Sequence, residues 1–463
     1  MRLTALQHPL VLDILQQHQT VVLDLVQGLG SPLHLMFPQI FAENIQRFKQ
    51  VLTDFGLQAD ILYAKKANKA DCLMRVCVEQ DIGVDVASSG ELSRALSAGV
   101  KGDRIGISGA HKDRALLQVA LQQSCLIAVD SLSELAYLID LANTSQQQGR
   151  ILLRYFPPHQ NTSRFGLTDR EIQQALALCC KHATQVKLEG FSFHLTGYDI
   201  SERAINADLL IDLCVKAQQL GLSACHRVNI GGGFAVQYVE TLDWQQFLAQ
   251  NKDKHYHANK QFFDFYPYGS TVHGAAALHQ LLSYPVTEQY NLAKKCQQNQ
   301  IQLLLEPGRA LLDQAGISAF KVQGIKHGSH RDYVIVTVAG SSFNLSEQWF
   351  NSEYLPDPVV LTHTPRQSAQ FKACVAGATC LESDLLTWRK IDFEHQIAIG
   401  DVCIYLNTAG YQMDSNESAF HEAPIPHKVV LELMQNQPTW YIDQRSLYMD
   451  TTRSLASHHK VPL

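Results

Sequence analysis

The chain has 463 residues, with 38 Lys and Arg against 44 Asp and Glu, which gives a net charge of −6. Hydrophobic residues make up 46% and charged residues 18% of the sequence, a composition that supports large buried cores and excludes extensive disorder. The mildly acidic balance argues against nucleic acid or an anionic membrane as the main partner. The length favours one large domain plus a smaller one.

The cysteines and the first segment of the chain predict a cytoplasmic protein. Eleven cysteines are scattered without a CxxC pair, which indicates reduced thiols. Asp13 and Asp24 interrupt the apolar stretches near the start, so we expect no secretory signal. Because no run of about eighteen apolar residues occurs, we also expect no membrane span.

From residue 59 the sequence alternates short apolar runs with longer segments of helical period. Eight such runs, each followed by a helix, predict a (β/α)8 barrel. A doubly wound sheet gives the same alternation, but the GxGxxG that usually follows its first strand is missing. The predicted strands are 59–64, 83–87, 104–109, 125–130, 150–156, 188–195, 224–233 and 302–309.

The regular alternation is interrupted between about 234 and 300. This connection contains the aromatic-rich segment FFDFYPYG and a predicted helix at 274–283. A connection of this length is usually a functional cap or an insertion. We therefore expect it to reshape the entrance to a site on the barrel.

The last part of the chain has a different pattern. After about residue 315, runs with period-two alternation and intervening turn residues predict an all-β domain, either a sandwich or a barrel. The run LHLMF (33–37) is compatible with the same domain. The predicted division is a barrel at 38–314 and a β-domain formed by 1–37 and 315–463, which ends in a loose tail, RSLASHHKVPL.

A set of polar residues and glycines is predicted at one rim of the barrel, where the strands end. Taken singly, each of these residues is more often structural than catalytic. Independent structural residues would scatter over both ends of the barrel, so their convergence at the rim used for active sites favours function. The residues are Lys66, Asp85, Arg154, His194, Gly231, Gly232, Gly233, Glu306 and Arg309.

This chemistry is that of a pyridoxal 5'-phosphate (PLP) site. A lysine amine can form a Schiff base with an aldehyde. Consecutive glycines allow backbone N–H groups to approach phosphate closely, and Arg309 can add a charge-assisted pair. A glutamate near the ring nitrogen keeps that nitrogen protonated, and a flat histidine can stack on the ring.

Seven motifs in order give the chain a family resemblance. Over residues 33 to about 421 it resembles the fold-type III PLP-dependent decarboxylases, the group of diaminopimelate, ornithine and biosynthetic arginine decarboxylases. Within that group it is similar to the branch that includes siderophore-pathway enzymes. The motifs are YAKKAN (63–68), DVASSGEL (85–92), SFHLTG (192–197), NIGGGF (229–234), EPGR (306–309), GATCLESD (377–384) and NTAGY (407–411).

The resemblance implies a role for each matching residue. Lys66, rather than Lys65, would carry the Schiff base because it precedes Ala-Asn. His194 would stack on the PLP ring and Glu306 would pair with the pyridine nitrogen. Asp85 would lie near the lysine, and Arg154 would help shape the site. The residues implied for the phosphate are Gly231, Gly232, Gly233 and Arg309, with Tyr411 at the phosphate or the substrate.

The β-domain would complete the active site of another subunit. The resemblance implies that Cys380 reaches into the partner's site and handles the proton at Cα after CO2 leaves. It therefore implies a homodimer with shared active sites. We assign Glu382 and Asp384, in the same motif, to the amino-acid substrate. The remaining cysteines fall in predicted helices or strands, where a small buried residue is the better interpretation.

Departures from the family pattern leave the substrate open. Leu381 occupies the position after the cysteine where ornithine and diaminopimelate decarboxylases place an acid. Thr196-Gly197 replaces the usual Gly-Ser, and Gln412 takes the slot usual for the last tyrosine. We expect a diamino acid or an N-acylated or carboxylated derivative, and no metal.

Two other functions share parts of this pattern. An amino-acid racemase or epimerase on the same barrel usually has an arginine near the pyridine nitrogen, and Glu306 argues against it. A non-catalytic PLP carrier lacks the β-domain and its cysteine motif, both of which are predicted here. The sequence therefore favours a decarboxylase.

Overall fold

The computed structural model describes residues 2–160, 162–346, 352–364 and 366–443. The predicted tail RSLASHHKVPL lies outside the described residues. The helices are α1 (Pro9–Gln17), α2 (Gln19–Leu29), α3 (Pro38–Asp54), α4 (Asp71–Glu79), α5 (Ser89–Ser97), α6 (Arg114–Gln122), α7 (Leu132–Ser145), α8 (Asp169–Lys181), α9 (Ile200–Gln219), α10 (Thr241–Gln250), α11 (Gly274–Ser283) and α12 (Leu292–Gln298).

The strands divide between a parallel barrel and a separate sheet. Those of the barrel are β2 (Ala59–Ala64), β3 (Gly83–Val86), β4 (Ile105–Ile107), β5 (Leu126–Val129), β6 (Gly149–Arg154), β7 (Val186–Ser192), β8 (Arg227–Asn229) and β9 (Gln302–Leu305). Those of the sheet are β1 (Leu33–Met36), β10 (Gly316–Lys326), β11 (Val334–Val338), β12 (Val359–Leu361), β13 (Ser368–Ala376), β14 (Leu385–His395), β15 (Val402–Tyr405), β16 (His427–Met434) and β17 (Gln437–Ile442).

The predicted (β/α)8 barrel is confirmed. Strands β2 to β9 follow one another around a closed barrel, and β2 pairs in parallel with β9 to close it. Every residue of β3 and of β5 is buried, as expected for strands covered on both faces. The predicted strand 224–233 is too long: the ladder is limited to β8, and the residues after it leave the barrel as a glycine turn.

Polar caps fix where the barrel helices begin. Thr168 and Glu171 form a capping box at the start of α8. The Asp199 carboxylate accepts a hydrogen bond from the Glu202 N–H at the start of α9. Because each helix starts shortly after a strand ends, the residues between them line the C-terminal mouth of the barrel.

The long connection between β8 and β9 is partly helical. It contains α10, α11 and α12, and α11 coincides with the predicted helix at 274–283. Between α10 and α11 runs an irregular aromatic segment whose Tyr256, Tyr266 and Tyr268 are buried. The segment therefore packs into the protein.

The predicted β-domain is confirmed as a nine-stranded, mostly antiparallel sheet. Its order is β14-β13-β11-β10-β1-β16-β17, with β15 pairing β10 and β12 beside this path. Strand β1, the predicted LHLMF run, lies between β10 and β16. The sequence analysis did not identify α1 and α2, which precede β1. The domain limits at 37/38 and 314/315 stay a prediction.

The loop that follows β15 docks on the turn that follows β2. The Tyr411 N–H donates to the carbonyl of Ala67 at 2.8 Å, and Asn68 Nδ2 donates to the carbonyl of Ala409 at 2.8 Å. These bonds bring Tyr411 to the mouth of the barrel. In the described part of the chain, no helix is long and apolar enough to cross a membrane.

Candidate active site

Lys66 lies in a single helical turn directly after β2. Its side chain is exposed at the barrel mouth, whereas Lys65 is 1% exposed. Surrounding protein atoms displace water and lower the Lys66 pKa, but the charges of Tyr411, Asp85 and Glu306 outweigh this effect and raise the pKa overall. Lys65 therefore belongs to the interior and Lys66 to the barrel mouth, and the Schiff-base role of Lys66 stays a prediction.

Asp85 forms the floor of the site beside Lys66. It is 3% exposed in β3, and its Oδ2 accepts a hydrogen bond from Ser108 Oγ at 3.1 Å. Burial and the Glu306 carboxylate raise the Asp85 pKa well above its usual range, against the opposing charge of Lys66. Its Oδ1 has no hydrogen-bond partner within the described residues. A buried acceptor facing a lysine is a feature of reactive sites.

Asn229 joins the carboxylate of Glu306 to the glycine turn. Its Nδ2 donates to Glu306 Oε1 at 2.6 Å, and its Oδ1 accepts from the Gly231 N–H at 2.9 Å. The Glu306 N–H in turn donates to the Gly231 carbonyl at 2.9 Å. Sequence reasoning missed Asn229, although it begins the NIGGGF motif, because an asparagine at a strand end gives no chemical signal of its own.

The three glycines form a cradle that no side chain could enter. A Cβ on Gly231 would lie 2.9 Å from His194 Nδ1, and one on Gly232 would lie 2.6 Å from the Glu306 carbonyl oxygen. A Cβ on Gly233 would lie 2.3 Å from Arg203 Nη2. Within the described chain, the N–H groups of Gly232 and Gly233 donate to no acceptor. Backbone N–H groups that have no acceptor within the chain can bind an anion.

Arg309 adds a positive charge beside this cradle. It is 6% exposed, and its guanidinium carbon lies 4.2 Å from the ring centroid of Tyr266 and 5.1 Å from that of Tyr411. Cation–π contacts of this kind hold the guanidinium in place. Tyr266 belongs to the long connection between β8 and β9, so that connection helps to build the site. The sequence shows that this connection is rich in aromatic residues, but it does not indicate that Tyr266 contacts Arg309.

His194 and Arg154 complete the mouth. His194 follows β7 and has an exposed ring. Nearby protein atoms displace water from around the ring, and the positive charges of Lys66, Arg154 and Arg203 act in the same direction. Together they lower the His194 pKa well below its usual range, so the ring is neutral. Arg154 Nη1 donates to Asp130 Oδ1 at 3.1 Å, which fixes its orientation.

Cys380 lies on a loop of the β-domain between β13 and β14. Its exposed thiol is 3.2 Å from His421 Nε2, and the His421 ring lies 4.3 Å from the ring of Phe420. Within the described residues no hydrogen bond joins Cys380 to Lys66 of the same chain. Sequence reasoning missed His421, because its partner is 41 residues away.

Asp384 holds the Cys380 loop in shape. Its Oδ1 accepts from the Ser342 N–H at 2.7 Å, and its Oδ2 accepts from the N–H and hydroxyl of Thr379 at 3.0 and 2.7 Å. It is 3% exposed, and a Cβ on Gly377 would lie 2.2 Å from its Oδ2. These contacts show that the carboxylate braces the loop, and its assignment to the substrate stays a prediction. Glu382 is exposed, and its contact with substrate stays a prediction.

The residues at the mouth fit PLP by their chemistry. Lys66 supplies an amine for the aldehyde, and the glycine cradle with Arg309 supplies donors and charge for the phosphate. Glu306, held by Asn229, supplies a carboxylate for the ring nitrogen. Among the described residues, no group of three or more His, Cys, Asp and Glu is arranged to hold a metal ion.

The chain matches known proteins over most of its length. Residues 41–265 match the pyridoxal binding domain of the pyridoxal-dependent decarboxylases. An uncharacterized protein of Sinorhizobium fredii is 35% identical, and the match covers 92% of this chain and 93% of that protein. A diaminopimelate decarboxylase of Bacillus methanolicus is 25% identical, with 89% and 90% covered.

Solved structures support the fold. The diaminopimelate decarboxylase of Helicobacter pylori complexed with L-lysine has a TM-score of 0.70 at 19% identity, and the match covers 92% of this chain and 96% of that one. The lysine/ornithine decarboxylase of Vibrio vulnificus complexed with putrescine has a TM-score of 0.66 at 19% identity, with 90% and 98% covered. Both share the barrel and the β-domain of this chain.

Proposed function

The chain belongs to the pyridoxal-dependent decarboxylase family, enzymes that use PLP to remove CO2 from an amino acid, and we propose that its substrate is a diamino acid or an N-acylated or carboxylated derivative of one. The relatives support this class, since diaminopimelate, ornithine and lysine are all diamino acids. The observation that carries the PLP-dependent function is the Lys66 amine at the barrel mouth, whose pKa the charges of Tyr411, Asp85 and Glu306 raise.

Lys66, Asp85 and Glu306 are assigned to the reacting end of the cofactor and substrate. When bound, PLP supplies an electron sink for the electron pair that remains at Cα after CO2 leaves. The Lys66 amine would hold the cofactor through its aldehyde. Glu306 holds a proton at the ring nitrogen, and Asn229 keeps its carboxylate in position. The neutral ring of His194 would pack against the cofactor ring without adding charge.

The phosphate end is assigned to the cradle of Gly231, Gly232 and Gly233, to Arg309 and to Tyr411. Tyr411 is bound through its backbone to the turn of Lys66, so the two ends of the site are mechanically joined. Arg154, oriented by Asp130, shapes the wall between them. The residues come from both the barrel and the β-domain.

Cys380 is assigned to the partner's site in a homodimer with shared active sites. Its exposed thiol on a well-braced loop supports this assignment. There it donates a proton to Cα after CO2 leaves, and Glu382 beside it contacts the distal end of the substrate. We also propose a cytoplasmic location, because all eleven cysteines are free thiols, as is usual in a reducing compartment.

The visible spectrum of the purified protein tests the cofactor assignment. Wild type should absorb in the visible range, and Lys66→Ala should lose that band because the aldehyde has no amine to bind. Lys65→Met is the matched control, since it removes a neighbouring lysine whose Nζ is buried and has no hydrogen-bond partner in the described chain. If the band survives in Lys66→Ala and is lost in Lys65→Met, the assignment is wrong.

A further inference from the structure

Arg203 is a buried cation beside the glycine cradle that the mechanism above does not use. It lies in the first turn of α9 and is 3% exposed. Its Nη1 donates to the carbonyl of Ile230 at 3.0 Å, and its Nη2 donates to the carbonyls of Gly197 and Gly233 at 3.3 and 3.4 Å. One guanidinium thus ties together two loops of the barrel mouth.

The guanidinium has no carboxylate partner. All three of its acceptors are neutral carbonyls, and within the described residues no Asp or Glu forms an ion pair with it. The nearby acids are engaged elsewhere: Asp199 caps α9, and Glu202 Oε1 accepts from Gln160 Nε2 at 2.9 Å. A buried charge without a counter-charge is costly, and the positive end of a helix increases that cost for a cation.

Burial nevertheless leaves Arg203 charged. It lowers the Arg203 pKa to about 10, while the charges of Glu202, Tyr198 and Asp199 act in the opposite direction. A pKa of that size keeps the guanidinium protonated at neutral pH. The mouth of the barrel therefore contains a permanent, unbalanced positive charge directly behind the cradle.

The contacts of Arg203 also decide which backbone groups the cradle presents. Carbonyl oxygens repel an anion, and Arg203 binds those of Ile230 and Gly233, which flank the glycine turn. The N–H groups of Gly232 and Gly233 stay unused in the described chain. A Cβ on Gly233 would displace the guanidinium, so the glycine and the arginine depend on each other.

We propose that Arg203 is a positioning residue for the phosphate group of the cofactor. It acts in two ways. It holds the carbonyl oxygens of the cradle away from the anion, and its buried charge is balanced when a phosphate dianion binds. This inference rests on the proposed PLP-dependent function. It assigns to the phosphate a second arginine, on a different element from Arg309.

A comparison of PLP with pyridoxal, which lacks the phosphate, tests the proposal. The full-length chain is freed of cofactor and titrated with each compound, and binding is followed by the visible absorbance. Arg203→Met should weaken PLP binding by about 10- to 100-fold, as expected for a lost charge-assisted interaction, and change pyridoxal binding by less than about threefold. Arg203→Lys should recover part of the PLP affinity because it restores the charge.

Arg150→Met is the matched control. Arg150 is also a largely buried arginine of the barrel, but it pairs with Glu189 at 2.8 Å at the start of β6, away from the mouth. Its replacement should leave the ratio of PLP to pyridoxal affinity unchanged. If Arg203→Met does not fold, Arg203→Gln, which keeps donors but not the charge, gives the same comparison.

The outcomes separate this inference from the proposed function. Equal weakening of PLP and pyridoxal would show that Arg203 only supports the fold, and an unchanged PLP affinity would show that the phosphate does not depend on it. Either result overturns the inference while leaving the function intact. A wild-type chain that binds neither compound would overturn both. As a readout independent of the aldehyde, inorganic phosphate should raise the melting temperature of wild type more than that of Arg203→Met.

Discussion

Replacement of Asp384 by alanine tests the loop that presents Cys380. The carboxylate accepts from the Ser342 N–H and from the N–H and hydroxyl of Thr379, at 2.7, 3.0 and 2.7 Å. With 3% exposure, it is shielded from water that could replace it. The substitution therefore leaves three partly buried donors without this acceptor.

The expected cost follows from these contacts. A buried donor left unsatisfied costs about 1–3 kcal/mol, so Asp384→Ala should lower the free energy of unfolding by about 3–5 kcal/mol once water reaches part of the space. Asp384→Asn keeps one acceptor oxygen and the shape, and should cost about 1–2 kcal/mol. Asp392→Asn is the control: it is 61% exposed and 3.9 Å from Lys372, and should cost less than about 0.5 kcal/mol.

Denaturant unfolding and steady-state kinetics are the assays. Because the carboxylate braces the loop that carries both Cys380 and Glu382, Asp384→Asn should lower kcat and raise KM only modestly, with the visible cofactor band nearly unchanged. The rate at which Cys380 reacts with a thiol reagent should rise as the loop loosens. A raised KM with unaltered stability would show instead that Asp384 binds substrate, and would refute the loop assignment.

Three further predictions follow from the site and its surroundings. Cys380→Ala should keep the cofactor band and slow amine formation at least tenfold, since it removes the proposed proton donor; amine formation at the wild-type rate would make the cysteine structural. Asn229→Ala should lower both PLP affinity and kcat/KM by about 10- to 100-fold, because it releases Glu306 and Gly231 together; unchanged PLP titrations would contradict this. Burial raises the Asp313 pKa to about 7, so its contribution to stability is present below pH 4 and lost as the pH rises through about 7. Asp313→Asn should therefore raise the melting temperature by about 2–4 °C at pH 8 and not at pH 4, and a uniform shift would contradict it.

The barrel was largely predictable from sequence, and so was the rim at which the predicted site residues lie. Strands covered by helices are nearly continuous apolar runs, so eight of them could be counted, and the strand ends give the position of the site. The choice of Lys66 over Lys65 came from the motif, and the structure supports it with the exposed Lys66 side chain and the buried Lys65.

The supporting residues were not predictable, for physical reasons. Asn229, Ser108 and Arg203 act through hydrogen bonds to groups that are distant in sequence or belong to backbone, and such bonds leave no periodic or compositional trace. Tyr266 belongs to an irregular segment whose path is set by packing. Asp384 was assigned to the substrate because an acid beside a cysteine suggests such a contact, and its hydrogen bonds within the loop leave no trace in the sequence.

Release of CO2 tests the central claim most directly. Wild type and Lys66→Ala are each incubated with diamino acids, their N-acyl derivatives and the D-isomers, and both CO2 and amine are measured. We predict equal amounts of CO2 and amine from at least one of these substrates with wild type and none with Lys66→Ala. Racemisation of a substrate without CO2 release would contradict the assignment of this chain as a decarboxylase.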